Sequence, residues 1–178
     1  KWLQWAKSIP LPLEDYQLKR LVVFMDPVAD TSGDGWQVLQ SLWAIGSGGF
    51  WGKGYRQGTQ SQLNFLPEHH TDFIFSVVGE EFGFIGTITL LFFFLVFLFR
   101  AISIAMRAKD VYGTLIASGI VSMFAFHILV NVGMTSGIMP VTGIPLPIIS
   151  YGGSAMWTNL MAIGILLSIN IRRQRLMF

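Results

Sequence analysis

Three long uncharged apolar runs dominate the second half of this chain, and they leave few folds open to it. Phe82–Phe99 reads FGFIGTITLLFFFLVFLF, eighteen residues without a charge, and Arg100 closes it. A helix crossing a bilayer core needs about 20 apolar residues, so this run covers most of that distance. Val111–Pro140 is also free of charge and is long enough for a spanning helix ending near Met134. Ser154–Ile171 is shorter and stops at Arg172-Arg173-Gln174-Arg175. One such run could be a buried core helix, but three in succession form a membrane pattern. Composition agrees: 12% of the 178 residues are charged, against about 25% in an ordinary soluble domain. Fifteen Phe, six Trp and nineteen Gly suit lipid-facing helices that pack closely at small residues. The net charge of +2 is dispersed or in short clusters, without the basic stripe of a nucleic-acid binder. With no Cys, disulfides, thiol catalysis and thiolate metal sites are excluded. The expected fold is all-α: a polytopic membrane helical bundle with three spanning helices, plus a large external loop with short interfacial helices.

Lys and Arg orient the spans. The loop after the first span holds Arg100, Arg107 and Lys109, the tail holds Arg172, Arg173 and Arg175, and Thr135–Gly153 between them holds no charge. The positive-inside rule therefore puts the basic loop and the C-terminus in the cytoplasm and the Pro/Gly-rich loop outside. Residues 1–72 then form an external loop region with interfacial helices and a polar site. Residues 73–178 form a membrane region, with spans at about 73–99, 111–134 and 154–171. Nothing in Lys1–Asp72 reads as a signal peptide, so the sequence is expected to be the C-terminal part of a larger multi-pass protein, or one chain of a split one.

Within the external region, Trp2 and Trp5 suit headgroup level, and Glu14–Met25 reads as a short amphipathic helix with Leu18, Leu21, Val22 and Met25 on its apolar face. Trp36–Ile45 has helical periodicity but is too short to span, as in an interfacial or re-entrant helix. Gly46–Gly58 (GSGGFWGKGYRQG) fails as a phosphate-binding loop: Gly54 follows Lys53, and Ser47 stands where the first glycine is required. It reads as a flexible external turn, or as a place where Lys53 and Arg56 meet an anionic headgroup or pyrophosphate.

Leu66–Asp72 (LPEHHTD) sets Glu68, His69, His70 and Asp72 just before an apolar helix. It is weak as a metal site, since adjacent His side chains diverge by about 100° on a helix and HExxH is absent. Thr71 or Asp72 could cap the following helix. A helix from Asp72 to Phe99 would be about 42 Å long, against about 30 Å of hydrocarbon. With Glu80 and Glu81 at the core's edge, Asp72 would then stand about 12 Å above it, at the height of a lipid's polar head and placed for general-base chemistry. Glu80 and Glu81 are expected to pair with another helix or line a wet cavity. His127 and Asn131, four apart on one helix face, suit interhelical hydrogen bonds. Met139–Pro147 (MPVTGIPLP) predicts an irregular loop able to wall a cavity.

Four stretches together resemble the SEDS family of bacterial cell-wall polymerases, most closely its RodA branch. They are Gln40–Gly54 (QSLWAIGSGGFWGKG), Gly58–Asp72 (GTQSQLNFLPEHHTD), Phe73–Gly86 (FIFSVVGEEFGFIG) and Pro140–Gly153 (PVTGIPLPIISYGG). Their order matches the C-terminal half of that family from about Glu14 onward. The resemblance implies a peptidoglycan glycosyltransferase of the cell-elongation machinery, multi-pass in the bacterial cytoplasmic (inner) membrane. It would polymerise lipid II onto the growing glycan strand beside a class B penicillin-binding protein. Asp72 falls on the family's essential acidic position and is the candidate catalytic base. The candidate substrate-binding residues are Lys53, Arg56, Gln60, Glu68, His69, His70, Thr71 and Ser150. The family implies Mg²⁺ or Mn²⁺, with no ligand set evident. The alternatives are a transporter or flippase of the lipid-linked precursor, and a non-catalytic scaffold for the transpeptidase. Without the family's N-terminal half, the chain alone is expected to lack polymerase activity.

Overall fold

The computed structural model describes residues 20, 23–24, 33–58 and 71–172. The described residues form four helices and no strand: α1 (Asp34–Gly48), α2 (Ile74–Met106), α3 (Val111–Thr135) and α4 (Gly153–Ile171). The last three are long and apolar enough to cross a membrane. Only 17%, 28% and 17% of their apolar windows are buried within the chain. Phe92, Phe93 and Phe99 all stand exposed along α2, so most of this surface must meet lipid or other protein. The chain is an all-α, multi-pass membrane protein.

Two apolar clusters hold the helices together. Phe75 and Phe94 of α2 pack with Ile128 of α3 and with Leu146 from the loop before α4. Farther along, Ala101 and Ala105 meet Ala117 of α3 and Leu166 of α4, where small side chains let the backbones approach closely. Phe97 and Phe124 make an edge-to-face pair at 5.1 Å between them. A hydroxyl chain ties in α1. Ser41 donates to the Thr135 carbonyl at 2.7 Å, which uses its one proton. Ser76 must therefore donate across the 2.6 Å contact between the two serines.

The first span departs from the expected straight helix over 73–99. It runs on through Arg100 to Met106, and it is broken at Gly83, where φ is 64° and ψ −160°. The break is filled by the glycine-rich segment that follows α1. In an unbroken helix the amides of Phe84 and Ile85 would bond the carbonyls of Glu80 and Glu81. Here those carbonyls accept instead from the amides of Lys53 and Gly54, both at 3.0 Å. The two displaced amides bond the carbonyls of Gly49 and Phe50, at 2.9 and 3.3 Å. Glycine is required for this splice. A Cβ on Gly52 would lie 2.2 Å from the Glu81 oxygen, and one on Gly83 would lie 2.3 Å from the Gly52 nitrogen. Residues 49–54 are thus not the flexible turn expected from their composition. The break also removes the straight-helix basis for placing Asp72 about 12 Å above the hydrocarbon.

Glu80 is fully buried in this splice, and its carboxylate accepts from the Lys53 ammonium at 2.8 Å. The partner expected on another helix comes from the loop instead.

The end of α3 is closed by a Schellman motif. Gly137 has φ 70°, the Ile138 amide bonds the Gly133 carbonyl at 2.8 Å, and the Gly137 amide bonds that of Met134 at 3.1 Å. Glycine at that left-handed position turns the chain back over the bundle. The irregular loop that follows is anchored by the buried Leu146 and Pro147.

Candidate active site

Asp72 lies in a three-residue turn just ahead of α2, and each residue of that turn is fixed by a different partner. The Thr71 carbonyl accepts from the Ser150 hydroxyl at 2.6 Å. The Asp72 carbonyl accepts from the Asn131 amide at 2.8 Å. Phe73 is 1% exposed and packs between Val38 of α1 and Val141 of the loop before α4. The same Asn131 amide donates to the Ile144 carbonyl at 2.8 Å. The Ser150 hydroxyl also accepts from the Leu146 amide at 2.8 Å. Two buried polar side chains therefore staple the Asp72 turn to the loop over 137–152, and burial makes such bonds costly to lose. Phe73 holds the N-cap position of α2 and makes no side-chain cap bond, so Thr71 and Asp72 precede the cap rather than occupy it.

The turn opens into a cleft of about 1020 Å³, counting the solvent at its mouth, lined by Arg20, Gln37, Asp72, Gly143, Tyr151 and Ser154 among others. Gly143 has φ 73°, and a Cβ there would sit 3.2 Å from Asp72 Oδ2. The carboxylate is thus seated against bare backbone. The proline-rich loop does form one wall of the cavity, through Val141, Gly143 and Pro145.

The candidate residues divide. Asp72 and Thr71 line the cleft. Ser150 is buried against the turn, with its hydroxyl engaged in the staple. Lys53 and Arg56 do not line the cleft: Lys53 is paired with Glu80, and the Arg56 guanidinium lies 5.6 Å from the Tyr55 ring centre. Gln60, Glu68, His69 and His70 lie outside the described residues. Asn131 was expected to bond another helix; its amide instead donates to the carbonyls of Asp72 in the turn and Ile144 in the loop. His127 instead lies beside Phe126 and makes no hydrogen bond among the described residues. As for Mg²⁺ or Mn²⁺, no three His, Asp or Glu side chains converge among the described residues. Asp72 is the one carboxylate among the residues that line the cleft.

A family model described as cell cycle protein, FtsW/RodA/SpoVE, matches residues 5–175. The chain belongs to this family. Among curated relatives of the FtsW/RodA/SpoVE family, the peptidoglycan glycosyltransferase RodA of Treponema pallidum is 52% identical over 161 residues, 90% of this chain and 37% of its own length. The peptidoglycan glycosyltransferase MrdB of Escherichia coli K12 is 46% identical over 164 residues, 92% of this chain and 44% of its own. The stage V sporulation protein E of Bacillus subtilis is 46% identical over 155 residues, covering 87% and 42%. The chain thus spans less than half the length of these relatives. A solved chain, from work on polymerization and crosslinking by a peptidoglycan synthase complex, superposes with a TM-score of 0.74 at 31% identity, over 97% of this chain and 48% of that one. A RodA variant from Thermus thermophilus gives 0.57 at 26% identity, covering 94% and 70%.

Arg20, Gln37, Tyr151 and Ser154 were not among the candidate residues. Arg20 sits on the polar side of the amphipathic pattern in Glu14–Met25, a signal that shows only as the complement of the apolar face. Tyr151 follows Ser150 in the irregular loop and is 82% exposed.

Proposed function

We propose that this chain carries the catalytic base of a peptidoglycan glycosyltransferase acting on lipid II at the outer face of the bacterial cytoplasmic membrane. The observation that carries the reading is Asp72, a carboxylate seated on bare backbone at an open cleft, in a turn stapled from both flanks. Asp72 takes the proton from the 4-hydroxyl of the acceptor GlcNAc as that oxygen attacks the anomeric carbon of the donor MurNAc. The new glycosidic bond forms as the bond to undecaprenyl pyrophosphate breaks, with inversion. Arg20 brings positive charge to the same cleft, and positive charge there stabilises the negative charge that the leaving pyrophosphate gains. The exposed ring of Tyr151 offers a stacking surface to a sugar. A class B penicillin-binding protein is the partner that would cross-link the product strand. Relatives named as peptidoglycan glycosyltransferases and a solved synthase complex support this assignment.

The test is lipid II polymerisation by the full-length protein, reconstituted with its transpeptidase, carrying Asp72→Asn. The expected result is a loss of at least about a hundredfold in glycan synthesis, with folding and complex formation unchanged. A flippase or a scaffold needs no ionisable base at this position, so undiminished synthesis would overturn the assignment.

A further inference from the structure

At the other end of α2, about 30 Å along the helix from the Gly83 break, a second polar hollow lies between α2 and α4. It is lined by Arg100, Ser103, Ile104 and Arg107 together with Asn170, and measures about 550 Å³ with the solvent at its mouth. The spacing explains the convergence, since residues three, four and seven apart share one helix face. The alanine cluster of Ala101, Ala105 and Ala117 with Leu166 then draws α4 close enough to bring Asn170 to the same hollow.

What distinguishes the hollow is that its polar groups are unspent. Neither guanidinium, nor the Ser103 hydroxyl, nor the Asn170 amide makes a hydrogen bond or ion pair among the described residues. Ser118 and Ser122 on α3, by contrast, bond back to carbonyls of their own helix. Two guanidiniums, a hydroxyl and an amide around one space make a donor set for a tetrahedral oxyanion. Close in sequence to the lining residues, Phe99 and Met106 of α2 and Leu167 and Ile171 of α4 are all exposed and apolar. An anion bound here would have acyl-chain surface on both sides.

We infer that this hollow binds the phosphodiester of an anionic phospholipid, with its tails along the flanking apolar faces of α2 and α4. The site is separate from the Asp72 cleft and shares no lining residue with it. Its charge is also of the kind expected at a cytoplasmic helix end, where basic pockets meet anionic headgroups.

The experiment is native mass spectrometry of the full-length protein in detergent, titrated with phosphatidylglycerol, phosphatidylcholine or inorganic phosphate. Wild type is expected to retain phosphatidylglycerol about thirtyfold more strongly than phosphatidylcholine. Arg100→Gln with Arg107→Gln should abolish the preference. Asn170→Leu, which leaves the charges that set topology untouched, should weaken it severalfold. Equal retention of the two lipids by wild type would overturn the inference, as would a preference surviving in both variants. Displacement of phosphatidylglycerol by millimolar inorganic phosphate would assign the hollow to the free anion and overturn the lipid.

Discussion

At the residue scale, the candidate site depends on side chains that hold backbone as much as on the carboxylate itself. Asn131 is fully buried and bonds two carbonyls with one amide nitrogen. Removing it leaves both acceptors unpaired and frees the Asp72 turn from the proline-rich loop. Misplacing a catalytic group by about 1 Å costs about a hundredfold in rate. Asn131→Ala is therefore expected to lower kcat for lipid II polymerisation by about ten- to a hundredfold, with a smaller change in KM. Gly143→Ala should reach a similar loss by pressing on the carboxylate from the other side, since the added Cβ would stand 3.2 Å from Asp72 Oδ2 at a backbone φ of 73°. Steady-state kinetics of the purified complex check both. The sequence marked Asp72 through the polar run LPEHHTD ahead of an apolar helix and through its place in the family's motif, both local patterns. It could not show that Ser150 and Asn131 grip this turn, because those contacts close loops of 79 and 59 residues.

At the element scale, the splice between the glycine-rich segment and the broken α2 is the least ordinary part of the fold. A Cβ on Gly48, Gly52 or Gly83 would lie 2.3 Å or less from backbone of the facing segment, and one on Gly79 would lie 3.1 Å from the Ile45 side chain of α1. Gly52→Ala should cost at least about 2 kcal/mol through overpacking and lower the melting temperature of the solubilised protein. Gly46→Ala is the matched control: it lies in α1 with nothing within 4 Å of the added Cβ, and it should be neutral or stabilising by about 0.5–1 kcal/mol. A thermal-shift series on the two variants decides the matter. The composition of Gly46–Gly58 signalled only that the backbone was permissive there. Its use for close approach rather than flexibility follows from Gly83, about 30 residues away, which frees the carbonyls that Lys53 and Gly54 complete. The same contact explains why Lys53 is drawn to Glu80 and away from the Asp72 cleft.

At the scale of the whole molecule, apolar length and basic loops predict an orientation that labelling can read directly. The native sequence has no Cys, so single-cysteine variants of this chain start from a clean background. Ile149→Cys, on the exposed part of the loop before α4, should react with a membrane-impermeant maleimide in intact cells whose outer surface is accessible. Lys109→Cys, between α2 and α3, should react only after the membrane is opened. The reverse pattern would overturn the external placement of the Asp72 cleft. The low burial of the three long helices leaves most of their surface to lipid or to other protein.

By itself the sequence determined the class of the fold, the three long apolar helices and the family. Each of these rests on composition, length and motifs that need no knowledge of long-range contacts. Only the tertiary structure decided how Asp72 is held, where Lys53 spends its charge, and that the first span is a broken helix completed by another segment's backbone. The physical reason is common to all three. Each depends on hydrogen bonds between residues far apart in the chain, in surroundings where a buried polar group must find a partner or carry a heavy penalty. Hydropathy reads the solvent around a helix, but only the packed chain shows which donor meets which carbonyl.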